Sequence, residues 1–143
     1  MRRSLVWFAV ALVAVVGLTS SGLVGVAAAQ DTAPTCSEVS FSGGDGSADD
    51  PYEIENVSQL QCIEDDLDAH YELVSDVDAS ATSEWNDEKG FEPIGSAAEP
   101  FTGSFDGNES TISGVIINRP QKDIVTGEPD AIGLFGHVGT GGE

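Results

Sequence analysis

Basic residues are scarce in this 143-residue chain, because five Lys and Arg stand against 25 Asp and Glu, a formal net charge of −20. Two of the five, Arg2 and Arg3, lie at the N-terminus, whereas every acidic residue lies at or after Asp31. Residues 31–143 therefore carry three basic and 25 acidic side chains, a formal charge of −22. A surface this negative excludes nucleic acid and anionic membrane surfaces as partners, since both are themselves negative.

Familiar catalytic motifs are absent as well. The sequence contains no Ser nucleophile elbow, phosphate-binding loop, dinucleotide fingerprint or HExxH helix. The two histidines, His70 and His137, are far apart and have no ligand spacing to each other or to the two cysteines, which argues against zinc. Acidic residues are so frequent that spacing alone identifies no catalytic carboxylate pair. We therefore expect a protein that is not an enzyme and uses no cofactor.

The N-terminal segment has the three parts of an export signal. Arg2 and Arg3 precede an unbroken apolar run, Leu5–Val16, and the small residues Ala27-Ala28-Ala29 follow. This pattern predicts a signal peptide over residues 1–29, and the arginine pair fits either the general secretory or the twin-arginine route. An uncleaved membrane anchor is the alternative, because the apolar stretch is long enough to span a bilayer. Either way, we expect an extracellular or cell-surface location.

The acidic composition also indicates a salt-rich environment. Like charges on such a surface repel one another in dilute buffer, whereas the Debye length falls to about 3 Å at 1 M salt. The composition is therefore typical of proteins that work in strong brine. An acidic secreted protein at ordinary salt is the alternative.

The chain has two cysteines, Cys36 and Cys62, and both follow the export signal. An exported chain meets an oxidising environment, so we predict a disulfide between them. Two buried free thiols are the alternative.

Local patterns predict one short helix and several strands. Asn56 and Gln59 form a capping box, and Leu60, Ile63 and Leu67 then recur on one helical face. Downstream, the alternation in Phe101–Phe105 and the apolar run Thr111–Ile117 predict strands on either side of a tight turn at Asp106-Gly107-Asn108. Trp85 is placed in a polar loop, and a protruding loop is predicted over Pro120–Asp130.

Metal and glycan sites have weaker signals. Asp45, Asp49 and Asp50 offer alternating oxygens of the kind found in calcium loops, although the segment fails the EF-hand pattern at positions six and twelve. These residues are weak calcium candidates only. Two sequons are present, at Asn56 and Asn108, and we expect the turn at Asn108 to be the more exposed acceptor.

Several of these segments occur together, in the same order, in one family. The matching pieces are Gly43–Gly46, Pro51–Ile54, Gln59-Leu60, Tyr71–Leu73, Ser75–Asp78, Gly90–Gly95, Phe101–Asn108, Thr111–Gly114 and Gly133–Gly136. Over residues 41–143 the chain resembles the opening of secreted GLUG-motif, β-helix-like surface proteins of haloarchaea and bacteria. Glu109 departs from the pattern, since the family usually has Gly after the Asn of this turn.

The resemblance implies an all-β fold, namely the opening rungs of a right-handed parallel β-helix with one short N-terminal helix. The expected organisation is a signal peptide (1–29), a polar leader (30–40) and a β-solenoid segment (41–143) that begins a longer array. The expected function is a non-catalytic structural or adhesion segment of a halophile surface protein, with envelope components or glycans as partners. The alternative is an N-terminal accessory region of a secreted hydrolase or peptidase. Membrane contact is expected only through an uncleaved signal segment.

Overall fold

The computed structural model describes residues 32–119 and 132–142. The predicted signal peptide and the loop predicted over Pro120–Asp130 lie outside the described residues. None of the helices in these two ranges is long and apolar enough to cross a membrane.

The regular elements are short and are separated by turns. In chain order they are β1 (Tyr52–Ile54), α1 (Val57–Gln61), β2 (His70–Leu73), β3 (Val77–Asp78), β4 (Ser104–Asp106) and β5 (Ile112–Ser113). The described residues also contain three 3₁₀ turns: Cys36–Glu38 precedes β1, whereas Cys62–Asp65 and Ser80–Glu84 lie between later elements.

The strands form two small parallel sheets. One sheet has the order β1-β2-β4, with Tyr52 in register with Tyr71 and Tyr71 in register with Phe105. The other pairs β3 with β5, with Val77 opposite Ile112. The described residues therefore form a small mixed α/β domain.

The expectation of an all-β fold with β-helix rungs is wrong. The described strands are only two to four residues long, lie in two separate sheets, and do not close into a solenoid. The strand predicted over Thr111–Ile117 stops at Ser113, because Gly114 has a φ of +72° and turns the backbone out of the extended region. The strand predicted over Phe101–Phe105 likewise begins only at Ser104.

The helix begins where the sequence predicts but ends early. Asn56 is its N-cap, and the Asn56 Oδ1 accepts a hydrogen bond from the Gln59 backbone N–H at 3.0 Å. Gln59 also reaches back toward the start of the helix, but its Oε1 accepts from the N–H of Glu55, the residue before the cap, at 2.8 Å, rather than from the Asn56 N–H as in the predicted capping box. After Gln61 the chain tightens into the 3₁₀ turn Cys62–Asp65, so Leu67 is not part of the helix.

The core lies between the sheets and the helix. Its largest fully buried side chains are Trp85, Tyr71, Phe91, Phe101, Ile54, Leu60, Ile63, Leu73 and Ile94. Aromatic rings run through it in a chain of contacts: Phe41–Tyr52 at 4.5 Å between ring centroids, Tyr52–Tyr71 at 5.7 Å, Tyr71–Phe101 at 6.4 Å and Phe101–Phe135 at 4.9 Å. This chain of rings joins the first described strand to the last described segment.

Trp85 lies in a turn among polar residues, as the sequence predicts, but its side chain is fully buried. The chain leaves the core through a left-handed turn at Asn86, Asp87 and Glu88, whose φ angles are 55°, 55° and 63°. The turn is closed by the Gly90 N–H, which donates to the Trp85 carbonyl at 3.0 Å. A side chain can therefore be central to the core even where its sequence neighbours are all polar.

Candidate functional site

The disulfide lies at the start of the described chain. Cys36 and Cys62 are bonded, with their Cα atoms 5.3 Å apart, and this connects the first 3₁₀ turn to the end of α1. Most of the predicted polar leader is thereby held against the domain. Close by, the Ser42 N–H donates to the Glu53 carbonyl and the Glu53 N–H donates to the Gly43 carbonyl, at 3.0 and 2.9 Å. We call residues 41–43, β1 and the disulfide the closed edge.

The buried Gln59 links this edge to the helix. Its Nε2 donates to the Ser40 carbonyl at 2.8 Å and to Ser42 Oγ at 3.0 Å, while its Oε1 accepts from the Glu55 N–H. A second buried glutamine, Gln61, contacts both backbone groups of Glu92 through its side-chain amide, at 2.9 and 3.1 Å. Sequence reasoning identified Gln59 only as a cap and did not identify Gln61. The apolar sequence neighbours of the two glutamines were the signal that could have predicted their burial.

The opposite side of the domain has an edge strand and exposed apolar side chains. β4 is the last strand of its sheet in the described residues, and nearby Ile132 and Val138 are 71% and 54% exposed. A shallow apolar groove of about 480 Å³ lies here, lined by Ile112, Val115, Ile117, Ile132, Gly133 and Leu134. We call β4, β5 and residues 132–138 the open edge.

A row of carboxylates crosses the outer face of the three-stranded sheet. Glu53 is in register with Glu72, and Glu72 is in register with Asp106. Neighbouring strands are about 4.8 Å apart, so the row places like charges side by side on the face opposite the tyrosines. Like charges at such positions are destabilising unless they are screened. We call Glu53, Glu72 and Asp106 the acidic row.

A second acidic feature is a cleft of about 360 Å³ between the 3₁₀ turn Cys62–Asp65 and the segment around Glu92. The pKa of Glu64 is raised to about 7, first by partial burial and second by the nearby Glu92 carboxylate, while Arg119 opposes the shift. Arg119 forms an ion pair with Glu92 at 3.6 Å. Arg119 and Lys89 are the only Arg and Lys in the described ranges, so positive charge is concentrated at two points.

The calcium candidates do not converge. Asp45 Oδ1 accepts from the Ser47 N–H at 3.0 Å, and the Asp50 carbonyl accepts from the backbone of Asp45 and Gly46, so the loop forms its own hydrogen bonds. No group of three or more His, Cys, Asp or Glu in the described residues has a metal-binding arrangement. His70 Nδ1 lies 2.5 Å from Ser104 Oγ, and His137 is exposed.

Both sequon asparagines are exposed, but their side chains make different contacts. Asn56 uses its Oδ1 for the helix cap. Asn108 instead donates from Nδ2 to the Leu73 carbonyl at 3.2 Å, and its own N–H donates to Asp106 Oδ1 at 2.8 Å. The turn predicted at Asn108 is present, with Asn108 and Glu109 both in the left-handed region at φ of 44° and 59°.

Comparison with known proteins finds similarity to a surface protein of a haloarchaeon and to a bacterial protein. Halomucin from Haloquadratum walsbyi is 45% identical over 107 residues, which cover 69% of this chain. A protein of Evansella cellulosilytica, provisionally described as a Gly-rich membrane protein, is 36% identical over 104 residues and 71% of this chain. The chain spans 1% and 11% of the lengths of these relatives. These similarities fit a cell-surface or membrane-associated protein of a halophile.

No protein-family model matches the chain, and no solved structure matches it. The GLUG motif at Gly133–Gly136 therefore stays a resemblance. In the structure this segment pairs with the chain around Ile94: the Ile94 N–H donates to the Leu134 carbonyl at 2.9 Å, and the Gly136 N–H donates to the Ile94 carbonyl at 2.8 Å.

Proposed function

We propose that this chain is an exported, non-catalytic segment of a halophile cell-surface protein that serves in envelope structure or adhesion, with envelope components or glycans as its partners. The observation that carries the proposal is the 45% identity to Halomucin over 107 residues. The relatives bear on location only, so the role and partners are inferred from the domain itself.

The chemistry of the domain supports a location outside the cell. A disulfide closes its first edge, and disulfides persist in oxidising compartments. The acidic row and the general excess of carboxylates produce repulsion that strong brine screens. Both features favour a protein that is exposed to a saline exterior.

The alternative, an accessory region of a secreted hydrolase or peptidase, has one specific observation in its favour. Glu64 lies in a cleft beside Glu92 with a pKa raised to about 7, and a carboxyl group with a pKa near neutral can exchange a proton with a substrate. Arg119 pairs with Glu92 in the same cleft, which equally fits a structural ion pair. If the domain is not catalytic, the Arg119–Glu92 ion pair has a structural role and the cleft needs no substrate.

Surface location is tested by protease treatment of intact cells. The gene, with a C-terminal epitope tag, is expressed in a halophilic host, and cells in isosmotic brine are exposed to protease before immunoblotting. We expect the tag to be digested while a cytosolic marker stays intact. A tag that is degraded only after lysis contradicts the proposal.

The non-catalytic function is tested with the surface fraction of the same cells. Hydrolysis of glycan and peptide substrates is compared between the native chain and Glu64→Gln, with Glu84→Gln as a control on an exposed turn. We expect equal activity in all three. Activity that is lost only with Glu64→Gln supports the hydrolase alternative instead. Binding is measured by co-sedimentation of the purified protein with isolated envelopes in molar salt, and failure to co-sediment contradicts the structural or adhesion role.

A further inference from the structure

The two sequons differ in which atom of the asparagine amide is engaged. An N-linked sugar attaches to Nδ2 and replaces one of its two hydrogens, whereas Oδ1 remains a hydrogen-bond acceptor. A folded site therefore suits glycosylation when Oδ1 makes the structural contact and Nδ2 points to solvent. It suits glycosylation poorly when Nδ2 itself holds the structure together.

Asn108 has the unfavourable arrangement. Its Nδ2 donates to the Leu73 carbonyl, which ties the turn at residues 107–110 to the end of β2. The backbone at Asn108 is left-handed, and its N–H is bonded to Asp106 Oδ1, so the residue is held from both sides. A sugar on Nδ2 would crowd the Leu73 contact.

Asn56 has the favourable arrangement. Its Oδ1 makes the helix cap to the Gln59 N–H, and the described residues provide no hydrogen-bond partner for its Nδ2. Its backbone is extended, at φ −147° and ψ 164°, so no strained conformation has to be maintained. The cap survives attachment, because the acceptor oxygen is not consumed.

The surroundings of Asn56 also leave room for a sugar. An open polar hollow of about 580 Å³ borders the side chain, between α1 and the 3₁₀ turn Cys36–Glu38. Its lining includes Thr35, Glu38, Ser40 and Ser58, whose oxygens match the hydroxyl groups of a saccharide. The disulfide Cys36–Cys62 holds the two walls of the hollow together.

From these contacts we infer that Asn56, not Asn108, is the site of N-linked glycan attachment. In the reaction, Asn56 Nδ2 forms a bond to the anomeric carbon of a sugar carried on a lipid phosphate. The bond from that carbon to the phosphate oxygen breaks, the phosphate leaves with the electron pair, and Nδ2 loses one proton. The inference rests on the proposed export, since the donor and its transferase act on exported chains.

The test is glycopeptide mapping of protein recovered from the surface of a halophilic host. Four chains are compared by intact mass and tandem mass spectrometry: the native sequence, Asn56→Asp, Ser58→Ala and Asn108→Asp. Asn56→Asp removes the acceptor but keeps an N-cap oxygen, and Ser58→Ala disrupts the sequon while Asn56 is retained. Melting in molar salt confirms that each variant is folded.

We expect a glycan mass on the native chain that is lost in Asn56→Asp and Ser58→Ala and retained in Asn108→Asp, with at least tenfold higher occupancy at Asn56. A glycan mapped to Asn108, or a surface-exposed chain with unmodified Asn56, overturns the inference and leaves the proposed function standing. A chain that stays in the cytosol overturns both.

Discussion

The closed edge and the open edge of the domain are stabilised in different ways. At the closed edge, the backbone of β1 forms hydrogen bonds with the Ser42 N–H and the Gly43 carbonyl. The disulfide fixes the residues that precede them. At the open edge, β4 ends the sheet in the described residues and Ile132 is 71% exposed. The comparison shows that the domain stabilises one side by covalent and polar contacts and leaves apolar surface on the other. We therefore expect stability to depend most on the closed edge.

The largest effect is expected from the disulfide. Replacing both Cys36 and Cys62 with Ser should lower the free energy of unfolding by about 3.5 kcal/mol, from the chain entropy released in a loop of this length. The measurement is urea unfolding at fixed molar salt, with hydrogen exchange to locate the loss. Faster exchange at the open edge than at the closed edge would contradict the comparison.

Removing the buried glutamine of the closed edge should have the next largest effect. Gln59→Ala leaves the Glu55 N–H and the Ser40 carbonyl without their partner, which costs about 2 kcal/mol. Asn118→Ala is the matched control outside the closed edge. It also removes a side-chain amide, but that amide makes one exposed hydrogen bond, to the Glu88 carbonyl at 3.3 Å. We expect the control to change the unfolding free energy by less than about 0.5 kcal/mol. Equal losses of unfolding free energy in the two variants would contradict the expectation that stability depends most on the closed edge.

The cleft at Glu64, which belongs to neither edge, should make stability depend on pH. The pKa of Glu64 is raised to about 7 in the fold, above its ordinary value near 4.5, so its contribution to stability is fully present below pH 4.5 and is lost as pH rises through 7. Glu64→Gln should therefore stabilise the protein at pH 8, by about 1 kcal/mol after allowance for solvent screening, and have no effect near pH 4. Melting curves at both pH values test this, with Glu84→Gln as the exposed control. An identical gain at both pH values would exclude titration as the cause.

At the open side, the turn at Asn108 and Glu109 should be improved by glycine. Glu109 has a φ of 59°, which an L-residue adopts at a cost that glycine avoids. Glu109→Gly is expected to raise the unfolding free energy by about 0.5–1 kcal/mol, net of the greater chain entropy of glycine. Glu109→Ala separates charge from backbone, because it removes the carboxylate and keeps Cβ. A gain of the same size in the alanine variant would assign the effect to charge.

The smallest effect is expected in the acidic row, which runs from one edge of the sheet to the other. Glu72 has a carboxylate on each side, so Glu72→Gln should stabilise the fold by about 0.5 kcal/mol in dilute buffer. The gain should vanish in molar salt, where the charges are screened. Thermal melts at several salt concentrations measure it, with Glu88→Gln on an exposed turn as control. A gain independent of salt would mean that packing, not repulsion, is responsible.

Local features of the closed edge could be predicted from the sequence. The helix cap from Asn56 to the Gln59 N–H depends on residues three apart, and the only possible cysteine pairing follows from a count of two. The tight turn at Asn108 is likewise a local signal.

The rest of the fold and of the candidate site depends on contacts between residues that are distant in sequence. Trp85 is surrounded by polar neighbours, and its burial follows from the packing of segments before and after it. Gln61 meets Glu92 across 31 residues, which no local pattern reveals. The β-helix expectation, which the resemblance implied, was wrong for a related reason: the shared motifs indicated where strands occur but not how short they are or that they divide into two sheets. Among the candidate sites, spacing located both sequons but not which amide atom each asparagine uses.

The presence of Glu109 rather than glycine after Asn108 also bears on chemical ageing. An asparagine deamidates when the backbone nitrogen of the next residue forms a bond to its side-chain amide carbon and ammonia leaves. A following glycine hinders that attack least because it has no Cβ. Glutamate after Asn108 places a side chain beside the attacking nitrogen, in a turn that is already fixed by two hydrogen bonds. Glu109 therefore makes the turn conformationally less favourable and makes Asn108 more resistant to deamidation.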